Sequence, residues 1–229
     1  VAVAALWVAV AAVIGVAVMI ESFRGSVIDW LEGSLSADFY VTAAAKLNDQ
    51  HAEQIAQLPS IDFVSRSQWY SLPTADGPVE IWALGLPADQ PPEVNIQSGH
   101  RDQALQAWRN TPAVLISEPF AVRRNLAVGD QLTLPAGGDR PAFTIAGIYR
   151  DYASPTGVVL MRRSLYERLY NDTAIAGIGV HRQAGGSREA MRDQLETAVA
   201  GVAGARVTDN AAVFEQSLII FDRTFAITE

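Results

Sequence analysis

The sequence begins with VAVAALWVAVAAVIGVAVMI (residues 1–20), a stretch without one charged side chain. An α-helix rises about 1.5 Å per residue, so about 20 apolar residues cross the roughly 30 Å hydrocarbon core of a bilayer. Apolar residues would occupy every side of this helix, whereas a core helix of a soluble domain has a polar outer face. The stretch therefore predicts a membrane-spanning helix at residues 1–22.

Two other interpretations of this segment stay open at this point. A signal peptide would need a basic N-terminal region, an apolar run of about 7–15 residues and a small-residue cleavage site, and none of these is visible. A buried helix of a soluble protein would be long enough, but it would not be uniformly apolar. Small residues such as Ala4, Ala9 and Gly15 recur along the segment. Because small side chains let helices approach closely in lipid, we expect a span inside a helix bundle.

Composition excludes several classes of function. The 229 residues carry a formal net charge of -8, which argues against nucleic acid because phosphate binding needs a basic patch. The chain has no cysteine, so disulfide frameworks, cysteine metal sites and thiol nucleophiles are excluded. After the first segment the composition is that of a water-soluble domain.

The apolar spacing continues beyond the predicted span. In ESFRGSVIDWL (residues 21–31), Phe23, Val27 and Trp30 recur at helical intervals. Gly25 weakens this helix, and Gly33 is suited to its C-terminal end. The pattern predicts a stalk helix over residues 23–35 that rises from the membrane surface.

The pattern of predicted strands and helices changes twice in the middle of the chain. ADFYVTA (residues 37–43) alternates like a strand, and the TADGP turn (residues 74–78) between two apolar runs predicts a β-hairpin. Strand and helix patterns alternate again near the end of the region, as in a sheet covered by helices. The predicted divisions are a first porter-like part at 36–86, an inserted β-rich subdomain at 87–154 and a second porter-like part at 155–208.

The last segment, residues 209–229, predicts a second stalk helix leading to another span. It begins at a capping Asp209 or Asn210 and carries an apolar stripe at helical spacing. We expect it to pack against the first stalk helix, although ordinary helix packing without a mechanical role stays an alternative. The residues predicted to couple the two helices are Phe23, Val27, Trp30, Leu31, Phe214, Leu218, Phe221 and Phe225.

Several stretches in this order resemble the extracytoplasmic region of an FtsX/MacB-type ABC transporter permease, closest to the YbbP-like large permeases. They are ESFRGSVIDWL, LISEPFAVRRNLAVGDQLTL (residues 115–134), FTIAGIYRDYASPTGVVLM (residues 143–161) and FEQSLIIFDRTFAIT (residues 214–228). The residues that carry most of this likeness are Val128, Gly129, Asp130, Leu132, Tyr149, Asp151, Tyr152 and Gly157.

The resemblance implies an α+β fold: a membrane-spanning helix continuing into a stalk, and a split porter-like α/β sandwich with an inserted smaller β-rich subdomain. It also implies mechanotransmission, in which ATP-driven helix movement acts on an envelope client outside the membrane. The implied partners are a cytoplasmic ABC ATPase subunit, a second permease copy, membrane lipid and a periplasmic partner or lipoprotein client. Residues after about 22 would lie on the periplasmic side of the inner membrane. The ATPase would be a separate subunit, because no G-x-x-x-x-G-K-[ST] loop occurs in the chain.

No pattern in the sequence predicts catalysis, a cofactor or a metal. His51, His100 and His181 lie in three separate segments without a zinc-binding spacing, and no G-x-S-x-G nucleophile elbow occurs. Asp130 and Asp151 could be read as a carboxylate pair, but each belongs to a turn or strand end, where Asp commonly accepts local backbone hydrogen bonds. We therefore expect a non-enzymatic domain.

Exposed aromatic residues are the remaining candidates for a binding surface. Trp69, Tyr70 and Trp82 lie on or near the predicted hairpin and Trp108 on a short predicted helix. Aromatic residues of a hairpin usually pack on the sheet, and the sequence does not separate a client surface from the core. A rival function, the ligand-sensing domain of a membrane receptor, also stays open.

Overall fold

The computed structural model describes residues 2–152 and 154–225. Seven helices lie within these residues: α1 (Ala2–Ser34), α2 (Asp49–Ala56), α3 (Arg101–Asn110), α4 (Glu118–Arg124), α5 (Arg163–Tyr170), α6 (Arg188–Val199) and α7 (Asn210–Phe225). Ten strands accompany them: β1 (Phe39–Leu47), β2 (Ile61–Leu72), β3 (Val79–Gly85), β4 (Ile96–Ser98), β5 (Ala113–Ser117), β6 (Gln131–Thr133), β7 (Ala142–Tyr149), β8 (Val158–Arg162), β9 (Ile175–Arg182) and β10 (Arg206–Asp209).

All ten described strands form one mixed sheet in the order β10-β1-β9-β2-β3-β8-β5-β7-β4, with β6 paired to β7. The pairs β3–β8 and β5–β7 are parallel, and the other pairs are antiparallel. The hairpin predicted around TADGP is β2–β3, and its last paired residues are Leu72 and Val79. The sheet and its helices confirm the predicted α+β fold class.

The sheet has two unlike faces, because successive side chains of a strand point to opposite sides. The first face carries residues such as Val41, Ile81 and Val159, and helices α2, α4, α5 and α6 contribute side chains to the same two buried clusters. On the second face, Leu115 and Leu160 belong to a third buried cluster, to which α3 contributes side chains. Among the described residues, no helix contributes to a buried cluster over the part of the second face formed by β10, β1, β9 and β2, which faces the ends of α1 and α7 instead.

Residues 87–154 contribute to the same sheet rather than to a separate one. They supply four strands, β4 to β7, and two helices, α3 and α4. Strand β5 pairs with β8, and Val114 and Ile145 share one buried cluster with Ile81 and Val159. The core is therefore continuous across the predicted boundaries, and the division into subdomains stays a prediction.

Helix α1 runs without interruption from the apolar segment into the domain. Its 33 residues correspond to a length of about 50 Å, which exceeds the hydrocarbon thickness of a bilayer. Apolar side chains near its start, including Trp7 and Ile14, are exposed, and the candidate span covers Leu6–Leu31. Glu21 is the first charged residue of α1, so we expect the part of the helix after Glu21 to rise out of the bilayer. Gly25 lies in that outer part of the helix.

Candidate functional site: the stalk, its joint and a groove

The outer part of α1 pairs with α7, and we call this pair the stalk. The ring of Phe23 lies 5.5 Å from that of Phe221 and 6.1 Å from that of Phe225, measured between centroids. Next to this cluster, Arg24 Nε is 2.9 Å from Asp222 Oδ1. An aromatic cluster and an ion pair therefore hold the two helices together. Residues 226–229 of the predicted second stalk helix lie outside the described residues.

The other predicted coupling residues occupy different surroundings. Leu31 is buried, and Val27, Phe214 and Leu218 are half-buried. The ring of Trp30 meets Tyr152 edge-on at 6.3 Å, so its aromatic contact is with the segment between β7 and β8. That these residues transmit movement stays a prediction.

A cluster of ionic contacts, which we call the joint, fixes both stalk helices to α6. Arg188 Nη2 is 2.9 Å from Asp38 Oδ1, and Arg188 Nη1 is 2.7 Å from Asp209 Oδ1. Asp38 follows the end of α1, and Asp209 precedes the start of α7. Arg182 adds a second contact to Asp38 at 3.5 Å, and Arg192 a second contact to Asp209 at 3.3 Å. One guanidinium therefore bridges the bases of both helices.

Backbone hydrogen bonds reinforce the joint. Buried Asn210 donates its Nδ2 to the carbonyl of Ala37 at 2.7 Å and its backbone N–H to the carbonyl of Asp38 at 3.0 Å. Asp209 Oδ1 also accepts from the N–H of Ala211 at the start of α7. Sequence reasoning identified Asp209 and Asn210 as helix caps only. The sequence did not predict the ion pair of Arg188 with Asp38, because 150 residues separate the two.

A groove of about 420 Å³ opens beside the joint on the uncovered part of the second sheet face. Its floor is the ring of Tyr40, which lies against Gly177 and Gly179; a Cβ at Gly177 would come 2.5 Å from Tyr40 Cε1. The Tyr40 hydroxyl is 2.5 Å from Ser67 Oγ, which donates to the carbonyl of Gly177. Glycine is needed on β9 because any larger side chain would displace this ring.

Aromatic rings also form the walls of the groove. Trp69 and Trp82, paired across the β2–β3 hairpin, stack in parallel with centroids 5.5 Å apart. Tyr149 of β7 and Trp30 of α1 line the groove as well, and α7 contributes Val213. Burial, with a smaller contribution from Asp151, holds the pKa of Tyr149 well above its ordinary value, so its phenol is neutral.

Charged residues stand around this aromatic lining. Asp29, Glu93 and Asp151 line the groove, and Arg150 is the cation among its described lining residues. Arg150 Nη2 donates to Gln97 Oε1 at 2.7 Å. The formal charge of these four groups, three carboxylates and one guanidinium, is therefore -2.

The residues that carry the family likeness serve two purposes in the fold. Asp130 Oδ2 accepts from the N–H of Ala127 at 2.8 Å, which shapes the turn before β6. Gly129 has a positive φ of 94°, Val128 is exposed, and Leu132 belongs to the core. Tyr149 and Asp151 line the groove, and Tyr152 contacts Trp30. Gly157, with φ of 82°, lies against Phe120 of α4.

The histidines have local structural surroundings. His51 and Asn48 cap α2 reciprocally, with each backbone N–H donating to the other side chain. The ring of His181 stacks on Phe63 at 3.9 Å, and burial lowers its pKa against the opposing effects of Asp38 and Asp62. His100 is exposed next to α3.

The four aromatic residues left open by the sequence divide between core and groove. Trp108 is buried and donates Nε1 to the carbonyl of Leu160 at 3.2 Å, and Tyr70 packs against the core of the first face. Trp69 is 50% exposed and Trp82 is half-buried, and both line the groove. Sequence periodicity assigned neither role, because sheet face and helix cover are tertiary properties.

Comparison with known families gives a match over most of the chain. Residues 1–198 match the family model of the MacB-like periplasmic core domain. Over its whole length the chain is 28% identical to Rv0987 of Mycobacterium tuberculosis, described as an uncharacterized ABC transporter permease protein. The chain spans 28% of the length of that relative.

Solved structures show the same fold at low sequence identity. The periplasmic region of MacB from Actinobacillus actinomycetemcomitans aligns with a TM-score of 0.55 at 11% identity, covering 79% of this chain and 91% of that one. The extracellular domain of the noncanonic ABC-type transporter YknZ from Gram-positive bacteria aligns with a TM-score of 0.52 at 10% identity, covering 74% and 98%. These likenesses establish the architecture.

Proposed function

The chain belongs to the MacB-like periplasmic core domain family, and on that premise we propose that it is the extracytoplasmic part of an ABC transporter permease that works by mechanotransmission. In this proposal a cytoplasmic ABC ATPase subunit moves the membrane helices. The stalk passes that movement to the domain, which acts on an envelope client at the outer side of the inner membrane. The domain itself performs no catalysis.

The single observation that carries the proposal is the continuity of α1 from Ala2 to Ser34. A helix transmits displacement along its axis only where its hydrogen-bond ladder is unbroken, and sharp bends arise at defined interruptions such as proline. No proline occurs within α1. Movement at the membrane end of α1 would therefore reach the domain rather than be absorbed by a bend.

The joint supports the second step of the proposal, the transfer from helix to domain. Arg188 holds Asp38 and Asp209, which flank α1 and α7, and it belongs to α6 on the first face of the sheet. The planar guanidinium holds carboxylates in a fixed geometry, unlike a flexible ammonium group. The stalk helices would thus move together with the sheet.

The partners of the whole protein belong to the same proposal. Besides the ATPase subunit, we propose a second permease copy, contact with membrane lipid through the exposed face of α1, and a periplasmic partner or lipoprotein as client. The apolar side chains of α1 support the lipid contact, because so large an apolar surface is unstable in water. The rival receptor function has no support from the family match.

The test of mechanotransmission is a proline in the stalk, Val27→Pro, in the full-length permease reconstituted in nanodiscs with its neighbouring ATPase subunit. Proline inside a helix removes a hydrogen bond and bends the axis, at about 3 kcal/mol or more. A fluorophore on Asp102→Cys of α3 and acceptor lipids in the bilayer would report the position of the domain by energy transfer. We expect ATP hydrolysis to continue while the ATP-dependent change in energy transfer disappears.

The matched control is Val27→Ala, which shortens the same side chain and keeps the helix. It should retain both hydrolysis and the ATP-dependent signal. An undiminished signal in Val27→Pro would contradict mechanotransmission through α1. Failure of any ATPase subunit to associate with the full-length chain would overturn the permease assignment and favour the receptor function.

A further inference from the structure

We propose that the groove is a binding site for a small organic cation with an apolar body. This inference deepens the proposed function, because it gives the chemical class of the client that the stalk would act upon. Only the link between the ligand and stalk movement rests on the proposed function. The binding itself depends only on the groove.

The aromatic lining is the first reason. Five aromatic residues line one space, Trp30, Tyr40, Trp69, Trp82 and Tyr149, and the side chain of Trp69 is 50% exposed. Faces of aromatic rings attract cations, and clusters of such rings are a common way to bind quaternary or substituted ammonium groups. The same rings bury the apolar body of a ligand.

Charge selects the sign of that ligand. The formal charge of -2 among the groove's four ionic lining residues repels an anion and attracts a cation. Glu93 and Asp29 are exposed, so they retain their hydration and can approach a ligand at the rim. An anionic lipid headgroup or a fatty acid is therefore a poor fit.

The dimensions favour a small molecule over a protein. A volume of about 420 Å³ lies within the range of small-ligand pockets, about 300–1,000 Å³. A stable protein interface buries about 1,600 Å² in total and needs a broad complementary surface. We therefore assign the groove to a small ligand rather than to a second copy of the chain.

The position of the groove links such a ligand to the stalk. Trp30 and Leu35 at the end of α1, and Asn210 and Val213 at the start of α7, form one side of it, and strands of the sheet form the other. A shift of the stalk relative to the sheet would change the width of the groove. Stalk movement would thereby bind or release the cation.

The test compares two dyes of similar shape and opposite charge, rhodamine 123 as the cation and fluorescein as the anion. The full-length protein is held in nanodiscs of zwitterionic lipid, without nucleotide and without the ATPase subunit. Fluorescence anisotropy is measured against empty nanodiscs. We expect saturable binding of rhodamine 123, at least about tenfold tighter than that of fluorescein and weakened by added salt.

Matched variants locate the binding. Asp29→Asn combined with Glu93→Gln should weaken the affinity for rhodamine 123 about fivefold or more, and Trp69→Ala should do the same. Asp102→Asn combined with Glu189→Gln removes two exposed carboxylates outside the groove and should leave the affinity unchanged. Circular dichroism would verify that every variant is folded.

Two results would overturn the inference: equal affinity for both dyes, or affinity for rhodamine 123 that the groove variants do not alter. The absence of binding by either dye would also overturn it. Because no nucleotide is present, these outcomes are independent of the Val27→Pro experiment. An undiminished energy-transfer signal in Val27→Pro, together with intact dye binding, would refute the proposed function and leave the binding site standing.

Discussion

At the scale of single residues, the close contacts of glycines explain positions that composition alone leaves unexplained. Gly157 is the last residue of the SPTG stretch (residues 154–157), has a positive φ and lies against the backbone of Phe120 at the start of α4. A Cβ at this position would come 2.5 Å from Phe120 Cβ. Two constraints therefore act on one residue: backbone conformation and lack of space.

Gly157→Ala should consequently destabilise the domain strongly. Left-handed backbone strain alone costs about 1–3 kcal/mol for a residue with a side chain, and the clash with Phe120 adds to it. The matched control is Gly77→Ala, because Gly77 has a similar φ of 95° but open space where a Cβ would lie. Chemical unfolding should show a loss at least about 1 kcal/mol larger for Gly157→Ala. Equal losses would show that the contact with Phe120 is not limiting.

The stacked His181 should make stability depend on pH. Burial lowers its pKa below the unfolded value of about 6.5. The unfolded chain then binds a proton more readily, so this contribution to stability is complete above pH 6.5 and is lost as the pH falls towards the folded pKa. We expect the melting temperature to fall by a few degrees between about pH 7.5 and 5.5, and less so in His181→Gln. His100→Gln, at an exposed site, should keep the wild-type slope, and the same slope in His181→Gln would contradict this assignment.

At the scale of elements, the joint determines how two helices meet one sheet. The pairing of α1 with α7 could be anticipated from their apolar stripes, but their attachment to α6 depends on Arg188. Without the guanidinium of Arg188, the negative charges of the neighbouring carboxylates Asp38 and Asp209 would be less fully neutralised. Like charges in such proximity repel.

Arg188→Met should therefore loosen the base of the stalk. It leaves both carboxylates with one remaining arginine each, at a cost of about 1–3 kcal/mol in free energy of unfolding. Arg192→Met is the control, because Arg192 contacts Asp209 alone and is more exposed. We expect proteolysis near residues 35–38 to accelerate in Arg188→Met and not in Arg192→Met. Equal protection in both variants would contradict a structural role for the joint.

At the scale of the whole molecule, the two stalk helices and the sheet form one connected unit. The Phe23 cluster and the Arg24–Asp222 pair hold the helices together, and the joint holds them to the domain. We therefore predict that α1 and α7 of one chain move together during the transport cycle rather than slide past each other.

A reducible crosslink across the stalk tests that prediction. Phe23→Cys combined with Phe221→Cys replaces two rings whose centroids are 5.5 Å apart, and a short bis-methanethiosulfonate reagent joins the two thiols. For this variant the fluorophore is attached at position 102 through an azide-bearing residue, so that it does not compete for thiols. The crosslink should form without abolishing the ATP-dependent energy-transfer signal, because the linked helices already move as one. The reduced form of the same variant is the control. Loss of the signal on crosslinking, with recovery on reduction, would show that sliding between α1 and α7 is required.

The sequence by itself determined the elements of this protein and its family. Uniform apolarity over residues 1–20 predicted the span, and period-two and helical patterns predicted helices that cover a sheet. The resemblance to the family implied the α+β fold, and the family likeness is confirmed by the match over residues 1–198. These properties are local, because hydrophobic periodicity and turn chemistry act over a few neighbouring residues.

Only the tertiary structure decided the joint and the groove. Arg188 meets Asp38 across 150 residues of sequence, and Trp69 and Trp82 line a groove because, of the described helices, only the ends of α1 and α7 face that part of the sheet. Trp108 was an equal candidate for a binding surface in the sequence, but it is part of the core, because α3 packs on β8 and buries this side chain. Contacts between distant segments depend on how strands are ordered in the sheet, and no short pattern in the chain encodes that order.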